Sequence, residues 1–303
     1  MVDMSGHDGE FKTGIRISEG FEISPGMRDV LRHVFINMPW SHIGKYIDPA
    51  IKIGMNLEIG FGADELEGVS AGAVSAVVGR MRENGCRLTI HGPFWDLCSG
   101  SIDHRIREVT RSRYGSLLDL AQEIRPERIV CHTGFDPRHH RGHRREWIEN
   151  CVSTWKPVVE RAEAMKTLVV LENVWEADPS LHLEIFEQIK SPWIGFCLDT
   201  GHQHSFSKTP LNEWLDATWQ HLGELHIHDN DGVYDSHLPV GSGSVDFDYL
   251  FNFLAKKGIS PVLTLEPHTV QHMTGSLAGL AAMSSFKNYL ETRVNGGLEV
   301  NGG

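Results

Sequence analysis

Cysteine is scarce in this chain of 303 residues: there are five, at positions 86, 98, 131, 151 and 197, and no two form a CxxC pair. A disulfide framework is therefore not expected. Cys86, Cys131 and Cys197 lie in or beside apolar, strand-like runs and read as buried free thiols, which fits a reducing, cytoplasmic setting. Long hydrophobic runs are also missing. The longest, Thr167–Leu171 and Ile194–Leu198, are strand-sized, so no membrane span is expected. The first ten residues carry Asp3, Asp8 and Glu10 and lead into no basic-then-apolar pattern, so no secretory leader is expected. Positive charge is in deficit, with 28 Lys and Arg against 40 Asp and Glu. The resulting net charge of −12 argues against non-specific attachment to a polyanion over most of the surface and leaves room for a local basic path. No G-x-G-x-x-G opens a helix and no phosphate-cradling P-loop occurs, despite 31 glycines. No Pro/Gly-rich linker divides the chain.

What is present is alternation. Short apolar runs at Val34–Met38, Asn56–Ile59, Arg87–His91, Arg128–His132, Thr167–Asn173, Ile194–Asp199, Glu224–His228 and Val262–Glu266 read as strands buried on both faces. Between them, Val69–Asn84, Arg105–Ile124, Arg144–Met165, Leu181–Ile189, Pro210–His221, Phe247–Lys257 and Gly275–Leu290 have helical spacing. Gly85 suits the C-cap of the first. Pro157 and Pro210 could each start or bend a helix. Eight βα units predict an α/β fold, a TIM-like (β/α)₈ barrel over 34–292. A short N-terminal extension, 1–33, would pack on it, with a possible strand at Thr13–Ser18, and 293–303 reads as a flexible tail. A doubly wound sheet is the alternative fold.

The chemistry gathers where the strands end. Successive runs terminate in His91, His132, Glu172, Asp199 with His202, His226 with His228, and Glu266 with His268, while the loop after the seventh strand carries Asp235 and His237. Taken singly, each is a structural histidine or a capping carboxylate. In a closed parallel barrel, however, all C-terminal strand ends meet at one face. Several carboxylates crowded there are costly unless cations neutralise them or their pKa values rise. Mixed imidazole and carboxylate donors suit Zn²⁺, Mn²⁺, Fe²⁺ or Co²⁺ better than an all-oxygen Mg²⁺ site. Asp199 and His202 flank a tight D-T-G-H turn in which Gly201 permits close approach. Asp235 and His237 form a D-x-H pair that an extended loop would point to one side.

These segments (HGPF, LEN, CLDTGH, HIHDN, DSHLP-x-G and LEP) resemble the superfamily that joins xylose-isomerase-like sugar isomerases and epimerases with zinc-dependent apurinic/apyrimidinic endonucleases. The resemblance spans about 34 to 290. In the isomerase branch it implies one catalytic divalent ion on Glu172, Asp199, His226 and Glu266. Glu172 and Glu266 would exchange a proton with the substrate carbon from opposite sides, through an enediolate. In the endonuclease branch it implies three zinc ions. His91, His132 and Glu172 would serve one, the four residues just named a second, and His202, Asp235 and His237 the third. Zinc or manganese, from one to three ions, is thus the expected cofactor. The surroundings depart from the endonuclease pattern: HIHDNDG replaces HLND followed by a basic residue, D-S-H replaces D-R-H, and GPFWDLCSGS follows His91 without the DNA-inserting pattern.

Other candidates carry less weight. Phe94, Trp95 and Trp175 could wall a sugar-sized pocket or pack in the core. Glu58 could reach substrate or form a structural salt bridge, and His228 and His268 could orient ligands or substrate or serve ordinary packing. The basic stretch DPRHHRGHRR, residues 136–145, could meet an anion or be a solvated loop. The expected activity is metal-dependent isomerisation or epimerisation of a sugar, sugar phosphate or related polyol, in a chain able to form a homo-oligomer. The alternative is phosphodiester hydrolysis, including abasic DNA, and nucleic acid is an expected partner only there. A third class is a ligand-binding barrel without catalysis.

Overall fold

Eight strands close on themselves in the computed structural model, which describes residues 23–295. They are β1 (Phe35–Pro39), β2 (Asn56–Gly60), β3 (Leu88–His91), β4 (Arg128–His132), β5 (Leu168–Glu172), β6 (Ile194–Asp199), β7 (Leu222–Ile227) and β8 (Val262–Leu265). All neighbours are parallel. Pairing of Phe35 with Thr264 and of Ile36 with Leu265 joins β1 to β8 and completes a (β/α)₈ barrel, which rules out the open doubly wound sheet. The chain segment around Thr13–Ser18 lies outside the described residues.

Strand period 2 sorts each run into an outward and an inward set. Ile90, Cys131, Leu171, Leu198, Leu225 and Leu265 belong to the large core that the helices cover. The alternate residues Val130, Val170 and Cys197 form a separate small apolar cluster, with Thr89, Glu224 and Thr264 buried at corresponding positions. Two residues further along each strand, in phase with this inward set, come His91, His132, Glu172, Asp199, His226 and Glu266.

The helices follow the expected spacing, with Arg144–Met165 and Phe247–Lys257 as expected and Gly85 in the left-handed conformation at φ +73° after Ala71–Glu83. Pro210 caps Leu211–Thr218, whereas Pro157 lies inside Arg144–Met165. The helix Trp40–Lys52 has no counterpart among the expected ones, because Gly44 and Pro49 obscure it. Its buried Ile43, Tyr46, Ile47 and Ala50 recur at helical spacing, so packing outweighs weak propensity. The single helix expected at Gly275–Leu290 is two, Val270–Ala282 and Ser284–Asn295, the latter running past the expected start of the tail at 293. Met283 is extended between them, which turns Phe286 and Tyr289 onto Phe251, at ring separations of 4.9 and 5.7 Å. All five cysteines are free, and four are buried. No helix among the described residues is long and apolar enough to cross a membrane.

Candidate metal and substrate site

Glu172, at the end of β5, is the hub of the inward set. Its Oε2 lies 3.2 Å from His91 Nε2, 3.1 Å from His132 Nε2 and 3.2 Å from His226 Nδ1, and its Oε1 lies 3.2 Å from His202 Nδ1. His226 Nδ1 is also 3.2 Å from Glu266 Oε1 and 4.0 Å from Asp199 Oδ2. His202 Nε2 and His237 Nε2 each stand 3.3 Å from Asp235 Oδ2. The fold thus gathers all nine residues expected at the strand ends into one continuous cluster.

Backbone and buried side chains orient the imidazoles. His91 Nδ1 donates to the Gly92 carbonyl (2.8 Å), and His237 Nδ1 to the Glu266 carbonyl (2.8 Å). His226 Nε2 faces Glu58 at 3.3 and 3.4 Å. In each case the other ring nitrogen is turned towards the acids, the arrangement that prepares a neutral imidazole for a cation. Glu58 is fully buried on the inward face of β2, where Asn37 and Thr89 also donate to it. It therefore meets an imidazole and is not among the residues lining the cavity above the cluster.

Two asparagines and an aspartate hold the loops. Asn173 accepts from the Asp199 N–H (2.9 Å) and donates to the Asp199 carbonyl (3.1 Å), tying β5 to β6. Asn230 donates to the Gly201 carbonyl (2.9 Å). Buried Asp229 accepts four backbone N–H groups, from Asn230, Gly241, Gly243 and Val245, at 2.8–3.0 Å. The loop folded around it returns Asp235 and His237 to the cluster. These anchors were visible in the LEN and HIHDN segments only as parts of a motif, without individual roles.

His228 is more central than its sequence position suggests. Its Nε2 is 3.1 Å from both oxygens of Asp199, and its ring stacks on His237 at 3.7 Å, with only 5° between the planes. A Cβ on Gly201 would fall 1.9 Å from that ring, so only glycine lets His228 occupy this place. His268 stacks on the other side of the array, 4.0 Å from His237. Burial and the neighbouring His237 push its pKa down to about 4.

The donor set fits a cation. His91, Glu172 and His226; Glu172, Asp199 and His202; Asp199, His226 and Glu266; and His228, Asp235 and His237 each bring three possible ligand atoms within 4.8 Å of one another. His226 Nδ1, His228 Nδ1 and Asp235 Oδ1 are buried without a hydrogen-bond partner. Burial would raise Glu172, but His132, His226 and His202 hold it well below the usual carboxylate range, whereas burial raises Glu266. The carboxylates raise His202 and His226 against their desolvation. Such mutual dependence of acids and imidazoles is what a bound divalent ion would relieve.

Above the cluster opens a cavity of about 830 Å³. Phe61, Phe94, Trp95, Phe135, Trp175 and Phe206 form its apolar wall. Phe94 stacks on His132 at 4.6 Å, and Trp175 lies 4.4 Å from Phe206. Glu176, which the sequence did not single out, also lines it: buried, accepting from Val174 N and Thr133 Oγ1, and pushed by burial up to about 7. Among the described residues that line the cavity there is no Lys or Arg. The basic stretch at 136–145 is largely neutralised by its own neighbours: Arg138 pairs with Asp136, Arg144 with Glu184 and Arg145 with Glu149.

Known proteins resemble this chain in sequence or in fold. MJ1311, an uncharacterized protein of Methanocaldococcus jannaschii, is 29% identical over 214 residues, which are 67% of this chain and 70% of that protein. The structure of the TTHB071 protein from Thermus thermophilus, from a ZnCl₂ soak, is 26% identical, covers 83% of this chain and 98% of its own, and superposes with a TM-score of 0.69. A D-tagatose 3-epimerase-like protein, 23% identical with a TM-score of 0.68, covers 87% of this chain and 99% of its own and shares the fold. Residues 55–286 match the family described as xylose isomerase-like TIM barrel, and the chain belongs to that family.

Proposed function

We propose that this chain is a divalent-metal-dependent isomerase or epimerase of a sugar or related polyol. The observation that carries this reading is the convergence of two carboxylates, Glu172 from β5 and Glu266 beyond β8, on one imidazole nitrogen, His226 Nδ1, 3.2 Å from each. Glu172, Asp199, His226 and Glu266 would hold the central ion, with His91 and His132 beside it and His202, Asp235 and His237 offering further ligands. When bound, the ion would supply positive charge next to the oxygens of an enediolate. One glutamate would take the proton from the carbon beside a carbonyl, and the other would return it. The aromatic wall would exclude water from the carbanionic stage. The fold likeness to a D-tagatose 3-epimerase-like protein agrees with this reading.

The complete nine-residue set also fits phosphodiester hydrolysis. Duplex DNA, however, calls for a basic approach, and the described cavity lining offers no Lys or Arg. The test is deuterium exchange: protein of measured metal content is incubated with a panel of ketoses and aldoses in D₂O and followed by NMR. Exchange at the carbon beside the carbonyl, abolished in Glu172→Gln, is expected. No exchange with any sugar, together with cleavage of abasic DNA, would replace this reading with the hydrolase.

A further inference from the structure

The cavity says more about its ligand than the floor does. A volume of about 830 Å³ lies in the upper part of the range for small-molecule sites and leaves most of the space unfilled by a single hexose. Its large apolar side chains are exposed at the walls yet fixed in place. Phe94 is 37% exposed while stacked on His132. Trp175 is also 37% exposed, held by Phe206 and by the Arg138 guanidinium 4.6 Å from its ring. Exposed, pre-positioned aromatics beside a polar floor are suited to burying the apolar face of a ring.

Charge narrows the class further. Away from the floor, the cavity presents Glu65, Asp96, Asp136 and Glu176, and no Lys or Arg is among its described lining residues. Arg138, whose guanidinium lies over the Trp175 ring, makes its hydrogen bonds to both oxygens of Asp136. The N-terminus of the helix Ala63–Gly68, which could otherwise receive an anion, is already taken by Glu65, whose carboxylate accepts from Gly62 N (2.7 Å) and Ser41 N (2.9 Å). A phosphate held away from the floor would meet carboxylates, and the guanidinium beside that wall is already neutralised by Asp136.

We propose that the substrate is an uncharged sugar that keeps a carbonyl group and carries a glycosidically linked second ring or apolar group, with that extension against the wall of Phe94 and Trp175. This inference rests on the sugar reading of the site and specifies its substrate class. It excludes sugar phosphates as preferred ligands and makes free monosaccharides poor ones.

The experiment is calorimetric binding to the metal-loaded protein. The probes are methyl and phenyl glycosides of the gluco, galacto and manno configurations, with glucose and glucose 6-phosphate as the charge pair. In at least one configuration the phenyl glycoside should bind about tenfold tighter than the methyl glycoside. Trp175→Ala should remove most of that preference and Trp175→Phe retain most of it, at equal metal content. Glucose 6-phosphate should bind no tighter than glucose. A phenyl preference below threefold in all configurations, no measurable binding of any phenyl glycoside, or tighter binding of the phosphate would each overturn the proposal. Deuterium exchange into a free hexose without a phenyl preference would sink this proposal alone. A phenyl preference with exchange neither into free hexoses nor into reducing disaccharides such as maltose, cellobiose and lactose would instead sink the isomerase reading.

Discussion

Replacing Glu58 by glutamine isolates the carboxylate beneath the candidate metal centre. The side chain is fully buried, and its oxygens stand 3.3 and 3.4 Å from His226 Nε2. Burial would raise this acid, but His226, assisted by His91 and the Asn37 amide, holds it down to about 2, so it is an anion in the folded chain. Three donors converge on it: His226 Nε2, Asn37 Nδ2 and Thr89 Oγ1. Glutamine keeps the shape but can accept at only one end, so at least one donor would face an amide N–H₂. The imidazole would lose the charge that fixes its N–H and strengthens Nδ1 as a ligand. Loss of such a partner typically weakens metal affinity about 10- to 100-fold, or about 1.4 to 2.7 kcal/mol. Competition of the metal-loaded protein against a chromophoric chelator measures this directly, and thermal unfolding of the metal-free variant separates it from a folding defect. An affinity within threefold of the parent, in a variant that folds normally, would refute the positioning of His226 by Glu58.

Gly201→Ala places a Cβ 1.9 Å from the His228 ring, so the imidazole must leave Asp199 or the D-T-G-H turn must shift; a stability loss of about 1 to 3 kcal/mol and lower metal content by elemental analysis are expected. Asp229→Ala leaves four backbone N–H groups without their acceptor, two of them buried, and a loss of about 2 to 4 kcal/mol in denaturant unfolding follows. His182, buried against Phe196, has its pKa pushed by burial from 6.5 to about 4. The unfolded chain therefore binds the extra proton between those values, so this residue's contribution is present above pH 6.5 and lost as pH falls to 4, by up to about 3 kcal/mol. His182→Leu should flatten the acid side of the stability curve, measured by urea unfolding of metal-free protein against pH; an unchanged slope would count against the burial argument.

The barrel was legible because its physics is local and repeated. Near-continuous apolar runs such as Ile194–Leu198 demand burial on both faces, and helical stretches such as Arg144–Met165 supply the cover. The chain itself also marks the strand ends at which His91, His132, Glu172, Asp199, His226 and Glu266 occur, since period 2 keeps them in phase with the inward set. Trp40–Lys52 was not legible: Gly44 and Pro49 oppose a helix locally, and only packing of Ile43, Tyr46 and Ile47 decides for it. Nor could sequence place Glu58, because 168 residues separate it from the imidazole it meets. The same holds for Asp229, whose four acceptor bonds exist only once its loop has closed, and for the cavity's charge. The Arg-rich stretch beside β4 looks like an anion site in one dimension; in three, Asp136, Glu184 and Glu149 pair with its arginines. Residue types and their periodicity specified the barrel and the chemistry at its mouth, while distances between chain segments far apart in sequence settled which groups neutralise, orient or leave each other exposed.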